Sequence, residues 1–179
     1  MTTSRKGYKT TPFSMTDSMF VQDFNVEIKR KFNKKLKASI SYFNFVFDDR
    51  AILVAKHHEL IFAQIFVLDV TQKFNKKHSV RYEAQHLSTQ QDQGNWAFGQ
   101  IEYTYGSHWS FALLDQFNYG NRDEVLQLHY VLGNIGYVTG PHRFSFQYGR
   151  QRAGIFCVGG VCRAVPASNG LTFTVTSSF

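Results

Sequence analysis

Asn169-Gly-Leu-Thr-Phe-Thr-Val-Thr-Ser-Ser-Phe179, the last eleven residues, decides the fold class. Leu171, Phe173, Val175 and Phe179 alternate with Thr172, Thr174, Thr176 and Ser178. A two-residue period of this kind gives an extended strand one apolar face and one hydroxyl-bearing face. Working backward, the same alternation recurs in eight further segments, roughly residues 20–32, 36–47, 59–74, 78–87, 96–105, 109–119, 128–138 and 142–152. Helical periodicity competes nowhere over a useful length.

The connections between these segments follow a rule. Asn33-Lys34-Lys35, Asn75-Lys76-Lys77, Gly106-Ser107-His108 and Gly140-Pro141-His142 read as tight hairpin turns. The remaining joints, roughly 48–58, 88–95, 120–125 and 153–168, are longer. Short and long alternate, as in an up-and-down barrel with short periplasmic turns and longer extracellular loops. A terminal strand closing on an aromatic points the same way, to a bacterial outer-membrane β-barrel. Leu171, Phe173, Val175 and Phe179 are then the signal that the barrel assembly machinery reads. The expected fold is all-β: an antiparallel meander of nine or ten strands forming a transmembrane barrel, or the C-terminal part of a larger one.

Composition narrows the class further. The chain has 179 residues, with 20 Lys+Arg against 13 Asp+Glu and a net charge of +7. That excess invites a nucleic-acid reading, but the lysines concentrate in residues 29–37 and 73–77, at strand ends and turns. No nucleic-acid partner is expected. No apolar run reaches the length of a transmembrane helix. Met1-Thr-Thr-Ser-Arg-Lys has no apolar core, so no secretory signal is visible, and the start reads as internal to a longer precursor. Direction gives the same expectation. With nine strands and a periplasmic C-terminus, the first strand begins on the extracellular side. Either more strands precede it, or residues 5–13 form a tenth, or the first and ninth close in parallel. Residues 1–18 therefore read as a poorly structured segment or truncated upstream strand, and 19–179 as barrel strands.

Few residues suggest chemistry. Cys157 and Cys162, separated by Val-Gly-Gly-Val in a long loop, suit a local disulfide in an oxidising compartment. His57-His58-Glu59 resembles a metal trio, but neighbours on a strand point to opposite faces. Glu27, Glu83 and Glu102, with Arg81, Arg150 and Arg152, are candidates to face a lumen, where ion pairs are the rule. Gly149-Arg-Gln-Arg-Ala-Gly154 could hold an anionic group and lacks the phosphate-loop pattern. Scattered histidines and serines make no triad. No catalytic residue, cofactor or metal is expected.

The run Tyr148-Gly-Arg-Gln-Arg-Ala-Gly-Ile-Phe-Cys157 through Val165-Pro-Ala-Ser-Asn-Gly to Phe179 resembles the C-terminal end of a family of large outer-membrane β-barrel proteins from Bacteroidota. The paired cysteines, the V-P-A-S-N-G phrase and the terminal phenylalanine carry the resemblance. It implies a barrel longer than this chain and brings no catalytic residues with it. Residues and resemblance together give a non-enzymatic outer-membrane barrel, a pore or an accessory subunit of a surface or secretion assembly. Its expected partners are outer-membrane lipid, the assembly machinery and other outer-membrane proteins. The alternative is a soluble or surface β-sandwich that binds carbohydrate through exposed aromatics.

Overall fold

A computed structural model describes residues 2–11, 14–48, 60–91, 93–152, 154–158 and 161–178. Within that set, residues 2–21, 47–48 and 154–164 are described by their backbone alone.

The strands are β1 (Thr2–Thr11), β2 (Ser14–Lys31), β3 (Leu36–Asp48), β4 (Leu60–Lys73), β5 (His78–Ser88) and β6 (Trp96–Tyr105). They continue with β7 (Trp109–Phe117), β8 (Leu132–Thr139), β9 (His142–Gln151), β10 (Gly154–Val158), β11 (Val161–Val165) and β12 (Ser168–Ser177). Ten of them form one antiparallel sheet in the order β1 through β9 and then β12. The other two, β10 and β11, make a separate hairpin inside the last long loop. The fold is an all-β antiparallel meander. Among the described residues no ladder joins β1 to β12, so the sheet has two edges.

Ten strands rather than nine make the two edge strands run antiparallel to each other. The expected conflict over where the first strand begins does not arise with this count. The strand read from Phe20 starts earlier, at Ser14, and a bulge explains the difference. Ser4 faces Val21 while Arg5 faces Met19, which leaves Phe20 as the extra residue. A bulge shifts the alternation by one position. Accordingly the apolar residues fall at odd numbers before it (Met15, Met19) and at even numbers after it (Phe24, Val26, Ile28).

The phrase Lys-Phe-Asn-Lys-Lys occurs twice, at residues 31–35 and 73–77, and builds the same turn both times. The Asn33 side-chain oxygen accepts from the Lys35 and Leu36 amides at 2.7 and 2.8 Å. Asn75 accepts from Lys77 and His78 at 2.8 and 3.0 Å. Such asparagine turns satisfy backbone donors that the hairpin leaves unpaired. At the opposite end, Asp123 caps a single 3-10 turn, Glu124–Leu126, through the Val125 amide at 3.0 Å. That turn delays β8, which begins at Leu132 rather than near residue 128. Residues between them pair raggedly, with Tyr130 donating to the Gln116 carbonyl at 2.8 Å.

Register lines up like with like across the sheet. One row runs Val70, Tyr82, Ile101, Leu113, Gly133, Tyr148 and Leu171. The adjacent row on the other face runs Thr71, Arg81, Glu102, Ala112, Asn134, Gln147 and Thr172. Burial is inverted relative to a protein folded in water. Tyr148, Leu171 and Phe173 are 68%, 64% and 61% exposed, whereas Glu102 is 6% and Gln147 2% exposed. The extensive contacts between elements are those of ladder neighbours, and no helix or second sheet makes an extensive contact with the polar face among the described residues.

Candidate functional site: the enclosed polar face and its aromatic borders

Hairpin counting from the Asn75 turn sets up the centre of the enclosed face. Asp69 sits opposite Glu83, and Thr71 opposite Arg81, with Glu102 next to Arg81 on β6. The Arg81 guanidinium donates through Nε to Asp69 and through a terminal nitrogen to Glu83, both at 2.5 Å. Gln85 donates to the second oxygen of Glu83. One arginine thus bridges two carboxylates on neighbouring strands, a charge-assisted arrangement that neutral partners could not reproduce. Its side chains are 13–33% exposed, so water screens the pairs only in part.

Toward the long-loop end the enclosed face changes character. Ile61, Ala63, Trp96, Leu114 and Leu132 are all buried there, between 3% and 7% exposed. The phase of Phe43 and Phe45 is the same, which accounts for a β3 that reads as apolar on both faces near its end. Charged residues were expected on the interior face; the structure adds to that polar part an apolar part nearer the long loops. A cavity of about 240 Å³ lies at the border, against Glu83, Gln85, Trp96, Phe98, Gln100 and Arg152. Gln100 is 7% exposed, and its Nε2 meets no protein acceptor. Such a donor needs water or a polar ligand, and the cavity is roomy enough for either.

The six charged residues singled out from sequence do not converge on one point. Arg81 and Glu83 are joined directly. Arg152 lies over the Trp96 ring at 4.2 Å and closes one side of the cavity that Glu83 also lines. Arg150 sits elsewhere, 4.9 Å over the Tyr130 ring. Glu27 pairs with Lys29 at 2.8 Å. Asp69, Gln85 and Gln100 were not singled out, although counting from the Asn75 turn places each on the same face. Trp96 and Phe98 carried no such signal, because an aromatic at a strand end reads equally well on either face.

Two long loops lock above this face. Gly120 donates to the Asn95 carbonyl at 3.0 Å, and Arg122 to the Gln90 carbonyl at 3.1 Å. Gly94 has φ +75°, and a Cβ placed there would stand 2.0 Å from the Gly120 oxygen. Asn118, 2% exposed, bridges the loops. With its amide oriented to its neighbours, it donates to Gln93 and Asn95 carbonyls at 2.8 and 3.2 Å.

The outward face carries an aromatic border at each end. Near the tight turns, Trp109 and Tyr137 rings are 4.6 Å apart, Tyr137 and Phe144 6.4 Å, and His78 and Tyr105 5.0 Å. Near the long loops, Tyr42 meets Phe66 at 4.8 Å and Phe117 stacks on His129 at 3.9 Å. Asp115, the outward carboxylate on β7, is paired with His129 at 2.6 Å. Trp109 and Phe117 bound one strand, β7, eight positions apart (117 minus 109). At about 3.3 Å per residue that is roughly 26 Å along the strand.

Leu171, Phe173 and Val175 lie on the outward face of the edge strand β12, each more than half exposed. Phe179, the remaining member of that set, and His57-His58-Glu59 lie outside the described residues. Cys157 and Cys162 face each other across the β10–β11 hairpin, two residues from its turn on the backbone register; their side chains lie outside what the structure describes.

No curated protein and no solved structure matches this chain. A family model does match, over residues 1–179, and the chain belongs to that family, described as a family of unknown function, DUF6029.

Proposed function

We propose that this chain forms the wall of an outer-membrane β-barrel that performs no catalysis and acts as a pore or as a subunit of a surface assembly. The observation that carries the reading is the inverted burial. Apolar rows point outward between two aromatic borders, while Glu102, Asn134 and Gln147 are enclosed. In water, contiguous apolar patches beyond a few hundred Å² are rarely left exposed on a monomer. In a bilayer the same rows lie against hydrocarbon, and the borders sit at the two interfaces. Strands tilted by about 40° turn a 26 Å span into roughly 20 Å of height, close to the apolar band of outer-membrane barrels. Open edges in hydrocarbon leave backbone groups unpaired at several kcal/mol each. β1 and β12 therefore either pair with each other or with further strands, and their antiparallel directions allow both.

Function in this reading resides in the enclosed face. The Asp69–Arg81–Glu83 bridge fixes the wall on the solute side, and the Trp96–Arg152 contact narrows the upper part. The test is refolding of the full chain into lipid vesicles. Heat-modifiable gel mobility and outer-membrane fractionation are expected; a protein that stays monomeric and folded in detergent-free buffer would sink the proposal. The loop hairpin is proposed to carry a Cys157–Cys162 disulfide, since directly opposed positions of an antiparallel pair bring Cα atoms within bridging range. The small ring would add about 2 kcal/mol on the chain-entropy model. Alkylation without reductant should label neither thiol, and labelling of both would refute the bridge.

A further inference from the structure

Eight of the chain's eleven lysines stand in residues 29–37 and 73–77. The structure brings those two segments together. Lys73 donates its amide to the Lys35 carbonyl at 2.7 Å, so the β2–β3 and β4–β5 turns are side by side at one end of the sheet. Lys34, Lys35, Lys76 and Lys77 are exposed in the two matching asparagine turns. Among the described residues none of these four pairs with a carboxylate. The other two tight turns, at Gly106 and Gly140, carry no lysine. The lysines therefore form a patch on one side of the rim.

An apolar element accompanies the patch. Phe32 and Phe74, the shared phenylalanines of the two phrases, are 56% and 49% exposed. Both continue the outward apolar face to its lower limit, in phase with Ile28 and Leu68. Arg30 lies 5.2 Å over the Phe32 ring. Each phrase thus presents a ring on the hydrocarbon-facing side and a lysine pair just below it. That spacing matches the depth order of a phospholipid, with acyl chain above and phosphate beneath.

We infer that the paired N-K-K turns form a docking patch for anionic phospholipid headgroups in the leaflet at the turn end. The inference rests on the membrane reading above and deepens it by naming the ligand and the side of the wall that binds it. Charge complementarity selects the ligand: an unneutralised lysine cluster at a membrane surface attracts anionic lipid strongly, and salt weakens the attraction. Zwitterionic lipid offers the same phosphate but no net charge, so it competes poorly.

The experiment folds the full chain into bilayers of phosphatidylcholine with and without phosphatidylglycerol, then identifies the lipids retained in native mass spectra. Phosphatidylglycerol should be enriched at least about fivefold over its bulk share, the factor expected of one such lysine. Enrichment should fall toward parity in a variant with Lys34, Lys35, Lys76 and Lys77 all changed to Gln, and in the original protein at high salt. Heat-modifiable mobility should persist in that variant, because the changed side chains are exposed and outside the ladders. Equal retention of both lipids by the original protein overturns the inference and leaves the barrel reading intact. Enrichment that survives the fourfold change overturns it too. Failure of the original chain to fold into either bilayer removes the membrane reading and the inference with it.

Discussion

Leu113→Arg is expected to lower the stability of the bilayer-folded protein by about 2–4 kcal/mol, the cost of a cation at the midplane of a barrel wall. Leu113 lies midway along β7 between Trp109 and Phe117, in the outward row with Ile101 and Tyr148. It is already 55% exposed. If water bathed this face, an arginine there would change stability by no more than about 0.5 kcal/mol and would raise solubility. The two solvents therefore give effects of very different size for one substitution. A control on the enclosed phase sharpens the result. Thr104→Lys, flanked by Ser79 and Ser110 in its row, should stay within about 1 kcal/mol in a bilayer, because a hydrated lumen tolerates charge. Denaturant titration of both variants in vesicles reads the difference. Equal, small effects at Leu113 and Thr104 would remove the outward rows from lipid.

Much of this was legible because strand phase survives any error in strand ends. The span of β6, residues 96–105, follows from alternation and turn residues alone, and β5, β7 and β9 differ from the reading by one or two positions at the loop end. The Asn33 and Asn75 turns were equally plain, since the asparagine supplies the acceptor that the turn requires. β1 was harder to see. Its sequence, T-T-S-R-K-G-Y-K-T-T, has little apolar alternation, and the bulge at Phe20 breaks the phase that would have connected it to β2. The β10–β11 hairpin lay inside a stretch read as one loop, because five-residue strands around Gly159-Gly160 carry no longer pattern.

The candidate site divides in the same way. Arg81 and Glu83 stood out as charges in phase on one strand, and the register from the Asn75 turn adds Asp69. The apolar upper part did not stand out. It depends on which of two aromatic phases in β3 turns inward, and only pairing with Ile61, Ala63 and Ile65 decides that. Contacts between loops are further still from the sequence. Nothing in Gln93-Gly94-Asn95 or Tyr119-Gly120-Asn121 says that the two glycines meet, since each suits an ordinary turn.

That meeting makes Gly94→Ala the second large expected effect. An alanine at φ +75° carries a strain of about 1–3 kcal/mol by itself. Here its Cβ would also stand 2.0 Å from the Gly120 oxygen and 2.6 Å from the Gly120 carbonyl carbon, both backbone atoms that cannot rotate away. The loops must separate, and the Gly120 to Asn95 hydrogen bond goes with them, adding about 1 kcal/mol. A total near 2–4 kcal/mol falls on the loop pair rather than on the ladders, which begin again at Trp96. Hydrogen exchange should therefore quicken at Gly94 and Gly120 while the amides of β5 and β6 stay protected. Gly120→Ala should do the same from the other side, since its Cβ would lie 2.2 Å from the Asn95 nitrogen. The double variant should cost little more than Gly94→Ala alone, because one separation relieves both clashes. Fully additive losses would mean that the two glycines are held apart, and that the loops above the enclosed face move independently.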